Sequence, residues 1–262
     1  MTAAQETRFR DLLHTAKANC IGGETADKAI HAADQGLLIK PNNTELLCLK
    51  GSALMSKEED NEALQCFDQA YKIDHQAYFL QGKAHCLLKL RRKEEALAAI
   101  NQSLKILDFS EARMLRAKIL EQFNRWEEAK HDLDTVITQR EREKNCKYSN
   151  LIFPKGHRAE VEIHLKQWAK ALEDLTFCLN DPDLIINQGS YNQFLQRGQV
   201  YKELKQYDKA IADYKKALKI NPDYRQTHIG LAEVYKLSGK LDLAKAEMKE
   251  VDNLDQDLAP VK

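Results

Sequence analysis

His157, Glu160 and His164 are spaced three and then four residues apart. On an α-helix that spacing puts all three on one face. Two imidazoles and a carboxylate are the ligand types that hold zinc, but a closed site needs four protein ligands. No further ligand stands at a usable spacing, so the trio reads as a polar helix face and no metal is expected. Gly22-Gly23 is isolated and follows no strand, so it is not a phosphate loop. No nucleophile-elbow or metalloprotease pattern occurs. Paired carboxylates such as Glu58-Glu59 and Glu127-Glu128 fall at helix starts, where the helix dipole accounts for them. The sequence therefore offers no catalytic residue and no cofactor site.

The elements that carry these residues are helical hairpins. Phe194, Gly198 and Tyr201 make one stripe, and Ala210, Tyr214 and Ala217 repeat its four-then-three step after a short polar break. Asn221-Pro222 then ends the second helix. The same pattern recurs along the chain, and the second-helix alanines measure it. Ala29, Ala63, Ala96, Ala129, Ala171, Ala210 and Ala244 are separated by 34, 33, 33, 42, 39 and 34 residues. Seven hairpins result, over about 10–43, 44–76, 77–109, 110–143, 152–185, 191–224 and 225–258. The two long intervals place insertions at 144–151 and 186–190.

A period of 34 with small residues opposite aromatic ones resembles the tetratricopeptide repeat family. The sixth copy is nearest the pattern. The fifth departs from it by carrying Glu162 where the others are apolar or aromatic. The resemblance implies an all-α solenoid of helix-turn-helix repeats, a curved superhelix occupying 1–262 as a single domain. A lone hairpin cannot bury both its faces, so Gly51, Ala84, Ala117, Ala159 and Gly198 are expected to let first helices approach their partners. Phe67, Ile100, Leu133, Leu175 and Tyr214 are expected to fill the space between hairpins.

Composition limits the function. The 262 residues hold 40 basic and 40 acidic side chains, a formal charge of zero, which argues against a broad phosphate-binding surface and hence against nucleic acid. No apolar run reaches the ~18 residues that span a bilayer. The first ten residues are polar and lack the core of a secretory signal. The six cysteines are scattered with no C-x-x-C pair, as suits reduced thiols. The expected compartment is the cytoplasm.

What remains is a surface. In the family it resembles, first helices line a concave groove that holds an extended peptide or a partner's helix. Carried onto this chain, one row of that groove is Ser52, His85, Lys118, Glu160 and Gln199. A second is Leu49, Gly82, Leu115, His157 and Gln196; further in lie Cys48, Gln81, Met114 and Leu195, with Tyr78, Glu111 and Asn192 at the rim. Amide side chains suit a peptide backbone, and apolar pockets suit alternate side chains. One subfamily grips the acidic tail of heat-shock chaperones with a Lys and an Asn on one first helix. The corresponding pairs here are His14/Ala18, Cys48/Ser52, Gln81/His85, Met114/Lys118 and Gly156/Glu160, and none matches.

The expected function is a non-enzymatic scaffold or adaptor that binds a partner protein. The alternative is a chaperone or adaptor for secreted or translocated proteins, ahead of an enzyme or nucleic-acid binder. Leu151-Ile152-Phe153 and Leu184-Ile185-Ile186 are expected to pack on each other or on the local core, with an exposed second partner surface as the sharper reading. Leu254 and Leu258 continue the apolar spacing after Val251, and this C-terminal helix is a candidate for self-association.

Overall fold

A computed structural model describes residues 1–20, 25–143, 147–180 and 188–257, which form fourteen α-helices and no strand. In order they are α1 (Ala3–Asn19), α2 (Ala26–Ile39), α3 (Thr44–Ser56), α4 (Asp60–Ile73), α5 (Ala77–Lys89), α6 (Lys93–Ile106) and α7 (Ser110–Glu121). There follow α8 (Trp126–Glu141), α9 (Tyr148–His164), α10 (Trp168–Leu179), α11 (Gln188–Glu203), α12 (Tyr207–Ile220), α13 (Arg225–Leu237) and α14 (Leu241–Asp257). The chain divides into two compact units, Met1–Arg125 and Trp126–Lys262, and the division falls between the two helices of the fourth repeat.

The second to seventh hairpins turn in the same way. Glu58, Arg91, Asn124, Lys166, Lys205 and Gly239 all adopt positive φ, between 56° and 77°. The amide of the next residue then donates back to a carbonyl of the first helix, as from Glu59 to Leu54 (3.0 Å), Arg92 to Leu87 (2.9 Å) and Lys240 to Tyr235 (2.8 Å). This left-handed cap satisfies carbonyls that the helix end would leave open. It also sends the chain back along the helix it has left.

In the first unit, successive first helices α3, α5 and α7 are neighbours, with α2, α4 and α6 packed alongside them. The second-helix alanines Ala29, Ala63 and Ala96 are fully buried, as the small-residue spacing predicts. Phe67 explains why small residues are needed. A Cβ on Gly51 would lie 3.0 Å from its ring, and one on Gly82, in the next hairpin, 2.6 Å. The ring fills the gap between two first helices because neither has a side chain there. Asn43 starts α3 by accepting a hydrogen bond from the Leu46 amide at 2.8 Å.

The second unit repeats the device. Tyr214 is buried between Gly198 and Gly230, where added Cβ atoms would stand 3.1 and 2.9 Å from it. Ala129, Ala171 and Ala210 are fully buried. The expected insertion at 144–151 is shorter than the spacing implies, because Tyr148 to Leu151 form the first turn of α9. That helix contains Pro154, whose missing N–H leaves the Asn150 carbonyl without its helical donor. Arg140 of α8 supplies one, at 2.7 Å. Similarly α11 begins at Gln188, inside the expected insertion at 186–190. The run Leu184-Ile186 lies outside the described residues, as do Gly22-Gly23, Cys146 and Leu258.

Candidate protein-binding face

A basic residue stands directly before the small residue of five first helices: Lys50, Lys83, Arg116, Arg158 and Arg197. Each reaches a second helix. In the first unit Lys50 binds Asp34 (2.6 Å), Lys83 binds Asp68 (2.6 Å) and Arg116 donates to Asn101 (3.1 Å), in every case a residue of the preceding hairpin. In the second unit Arg197 grips Asp213 of its own hairpin through two bonds of 2.7 and 2.9 Å. Arg158 does both, holding Asp174 at 2.7 and 2.9 Å and Asp134 of α8 at 2.8 Å. These pairs tie each of these first helices to a second helix. Sequence reasoning missed them, although the basic residue at a constant offset was a readable signal.

The residues turned outward can now be placed. In the first unit His85 and Lys118 are exposed and Ser52 is half-buried. Cys48, Gln81 and Met114 are half-buried, and Tyr78 is 45% exposed. Burial pushes the Cys48 thiol up to about 11, against the Ser52 hydrogen bond that lowers it, so this cysteine is not a nucleophile at neutral pH. Partial desolvation by the surrounding side chains, then the Lys118 and Lys89 ammoniums, push His85 below the ordinary histidine range. The face around His85 is thus a neutral imidazole beside lysines.

Leu115 corrects the expected groove. It is buried in the core with Ala112 and Ile119 instead of lining a surface. The reason is its register. The row two residues before each small residue lies over the second helix of the preceding hairpin, as Gly82 shows against Phe67 and Gly230 against Tyr214. Leu49 in that row is half-buried and packs against the cluster of Phe9, Ala33 and Leu46.

In the second unit Glu160, Asn192 and Gln199 are exposed, while His157, Leu195 and Gln196 are half-buried. The histidine–glutamate face is disassembled by packing. His164 stacks flat on Trp126, with ring centroids 3.9 Å apart and planes within 5°, and His157 lies 6.2 Å from the Phe153 ring. Among the described residues no group of three His, Cys, Asp or Glu side chains could hold a metal. The proposed partner surface at Leu151-Phe153 is mostly interior. Leu151 and Ile152 are buried, and only Phe153 is exposed, at 66%.

Glu162 explains the departure of the fifth repeat. It is buried, 3.8 Å from Lys130 and 3.9 Å from Arg158, with Asp134 and Asp174 on the same two cations. One of its oxygens has no hydrogen-bond partner. Burial first, then the Asp174 charge, push Glu162 up to about 7 against Arg158 and Lys130. Arg158 stays charged because Asp174 and Asp134 outweigh its desolvation. The cluster joins α8, α9 and α10.

Two stretches match models of tetratricopeptide repeats, residues 44–76 and 198–239. They lie in different units and coincide with the second repeat and with the sixth repeat and its continuation. This is a tetratricopeptide-repeat protein. Among curated proteins, it is 27% identical over 224 residues to tetratricopeptide repeat protein 21A of Homo sapiens, a match covering 84% of this chain and 15% of that one. The chain thus spans about 15% of the length of that relative. Among solved structures it is similar to a tetratricopeptide repeat protein of Parabacteroides merdae, with TM-score 0.65, 15% identity and coverage of 95% of this chain and 93% of that one. YrrB, described as a tetratricopeptide-repeat protein with an unusual peptide-binding site, gives TM-score 0.59 at 16% identity, over 76% of this chain and 97% of that one. Tetratricopeptide-repeat proteins are protein-interaction scaffolds, and the helical hairpins here are of that kind. No described helix is long and apolar enough to cross a membrane.

Proposed function

We propose that this tetratricopeptide-repeat protein is a non-enzymatic scaffold that holds a peptide or a partner's helix against the exposed face of its first helices. The observation that carries the reading is the composition of that face in the first unit. Ser52, Tyr78, Gln81, His85, Met114 and Lys118 come from three neighbouring first helices and keep surface, while the apolar residues beside them are buried. Gln81 and His85 provide donors and acceptors for a peptide backbone, and Tyr78 and Met114 provide apolar contact. A corresponding set on α9 and α11, with Phe153, His157, Glu160, Asn192, Leu195, Gln196 and Gln199, is richer in amides. The peptide-binding site named for YrrB supports the reading by analogy of fold.

The test is affinity capture from cells that express the protein, using wild type and the variant Tyr78→Ala with Met114→Glu. Leu115 is left untouched because it is core. The reading expects the partners to be lost while the melting temperature stays within a few degrees. Unchanged partners would refute it, and a parallel variant, Phe153→Glu with Gln196→Glu, shows whether the second unit carries binding instead.

A further inference from the structure

The seventh hairpin carries an apolar trough between α13 and α14. Ile229, Ala232, Leu241, Ala244 and Met248 form its floor, and its volume is about 620 Å³. Leu241 is 56% and Met248 43% exposed. Met248 stands four residues after Ala244, the place held by Phe67 after Ala63 and by Tyr214 after Ala210. Those rings are buried because a first helix of the following hairpin lies over them with glycine at the contact, Gly82 and Gly230 respectively. The inner hairpins therefore show what shape of occupant this trough fits: a helix with a small residue over Met248.

Charge narrows the occupant further. Lys236 on α13 and Lys245 and Lys249 on α14 line the trough, against Glu233 and Asp252. Glu233 is already bound to Lys202 at 2.8 Å. Lys236 and Lys249 form no ion pair among the described residues, and the Lys245–Asp242 pair is long, at 4.0 Å, and fully solvated. Cations thus stand on both helices that flank an apolar floor. A second copy of this face would bring lysines against lysines.

We infer that this trough is a docking site for an acidic amphipathic helix of a partner protein, which sets a glycine or alanine over Met248 and carboxylates against Lys236, Lys245 and Lys249. The site is separate from the first-helix face, and either can fail without the other.

The probes are two stapled helical peptides built on the α13 sequence, Arg225–Leu237, which carries Gly230. One is unmodified; the other carries Arg225→Glu, Gln226→Glu and Lys236→Glu. Fluorescence anisotropy with the full chain is expected to show the acidic peptide binding at least about tenfold more tightly, with the preference falling at high salt. Combined Lys236→Glu, Lys245→Glu and Lys249→Glu should abolish that preference, and Met248→Glu should abolish binding. Leu241→Glu, at a more exposed position, gives the same readout if the Met248 variant is poorly folded. No binding by either peptide, equal binding by both, or binding that survives both floor variants overturns the inference. So does a dimer in sedimentation that Met248→Glu dissociates, since the occupant is then a second copy.

Discussion

The Phe67 ring stands so close to Gly82 that a single added carbon there would lie 2.6 Å from it. Its opposite side is held by Gly51, where an added Cβ would be 3.0 Å away. The ring has no direction in which to retreat. Gly82→Ala is therefore expected to lower stability by ~1–3 kcal/mol through overpacking. Gly156 is the control. A Cβ there would meet Cys178 Sγ at 3.7 Å and Gln193 Nε2 at 3.9 Å, ordinary contacts. Gly156→Ala inside α9 is expected to stabilise by ~0.5–1 kcal/mol. Urea unfolding of both variants checks the pair, and equal effects would show that the Phe67 contact is not tight.

Much of the repeat was legible because it is enforced by space. Where two backbones must approach, only glycine or alanine fits, so the residues that mark the period are also the buried ones: Ala63, Ala96, Ala129, Ala171 and Ala210 are all inaccessible. The surface was less legible. Helical spacing gives each residue's angle about its own axis but not how that helix is rotated against its neighbour. That rotation depends on contacts between residues far apart in sequence, such as Gly82 against Phe67 and the buried Arg158–Asp174 pair. Hence Leu115 was expected on the groove and lies in the core, while Tyr78, Gln81 and Lys118 are at the surface. The start of α9 was also hidden, since the donor to the Asn150 carbonyl, Arg140, comes from another helix.

Glu162 should make stability fall as pH rises through neutrality. Its folded pKa is raised from 4.5 to about 7, so the folded state holds a proton that the unfolded chain releases. Its contribution is fully present below about pH 4.5 and is lost as pH rises through about 7. Relative to wild type, Glu162→Gln is expected to gain on the order of 2–3 kcal/mol between pH 5 and pH 8.5. Denaturant melts of the two proteins at those pH values decide it. Parallel pH curves would mean that Glu162 is ionised in the fold.

Arg158 and Lys83 occupy the same place in their repeats but differ in burial. Arg158→Met leaves Asp174, only 2% exposed in its side chain, without its bidentate partner. The expected cost is ~3–5 kcal/mol, because the carboxylate stays buried with only the Lys155 ammonium, 3.7 Å away, beside it. Lys83→Met breaks a pair whose side chains are 31% and 37% exposed, and the expected cost is ~0–1 kcal/mol. Thermal melts of the two variants give the comparison, and a similar loss in both would contradict it.

His85 reports on the charge of the first-helix face. Partial desolvation pushes its pKa down first, and Lys118 and Lys89 push it down further. Lys118→Ala is expected to raise it, as read from the imidazole proton shifts in an NMR titration. The effect should shrink in high salt. No change would place the Lys118 ammonium away from the ring.

The turns inside the hairpins carry a consequence for engineering. Glu58, Arg91, Asn124, Lys166 and Lys205 hold the left-handed backbone that Gly239 adopts without a side chain. Each such residue is conformationally strained, and glycine in its place should gain ~0.5–1 kcal/mol after allowing for glycine's greater freedom when unfolded. Heat tolerance can therefore be raised one hairpin at a time, at loop tips, without altering a side chain that faces a partner. The same five positions would let binding and robustness be tuned as separate properties of one molecule.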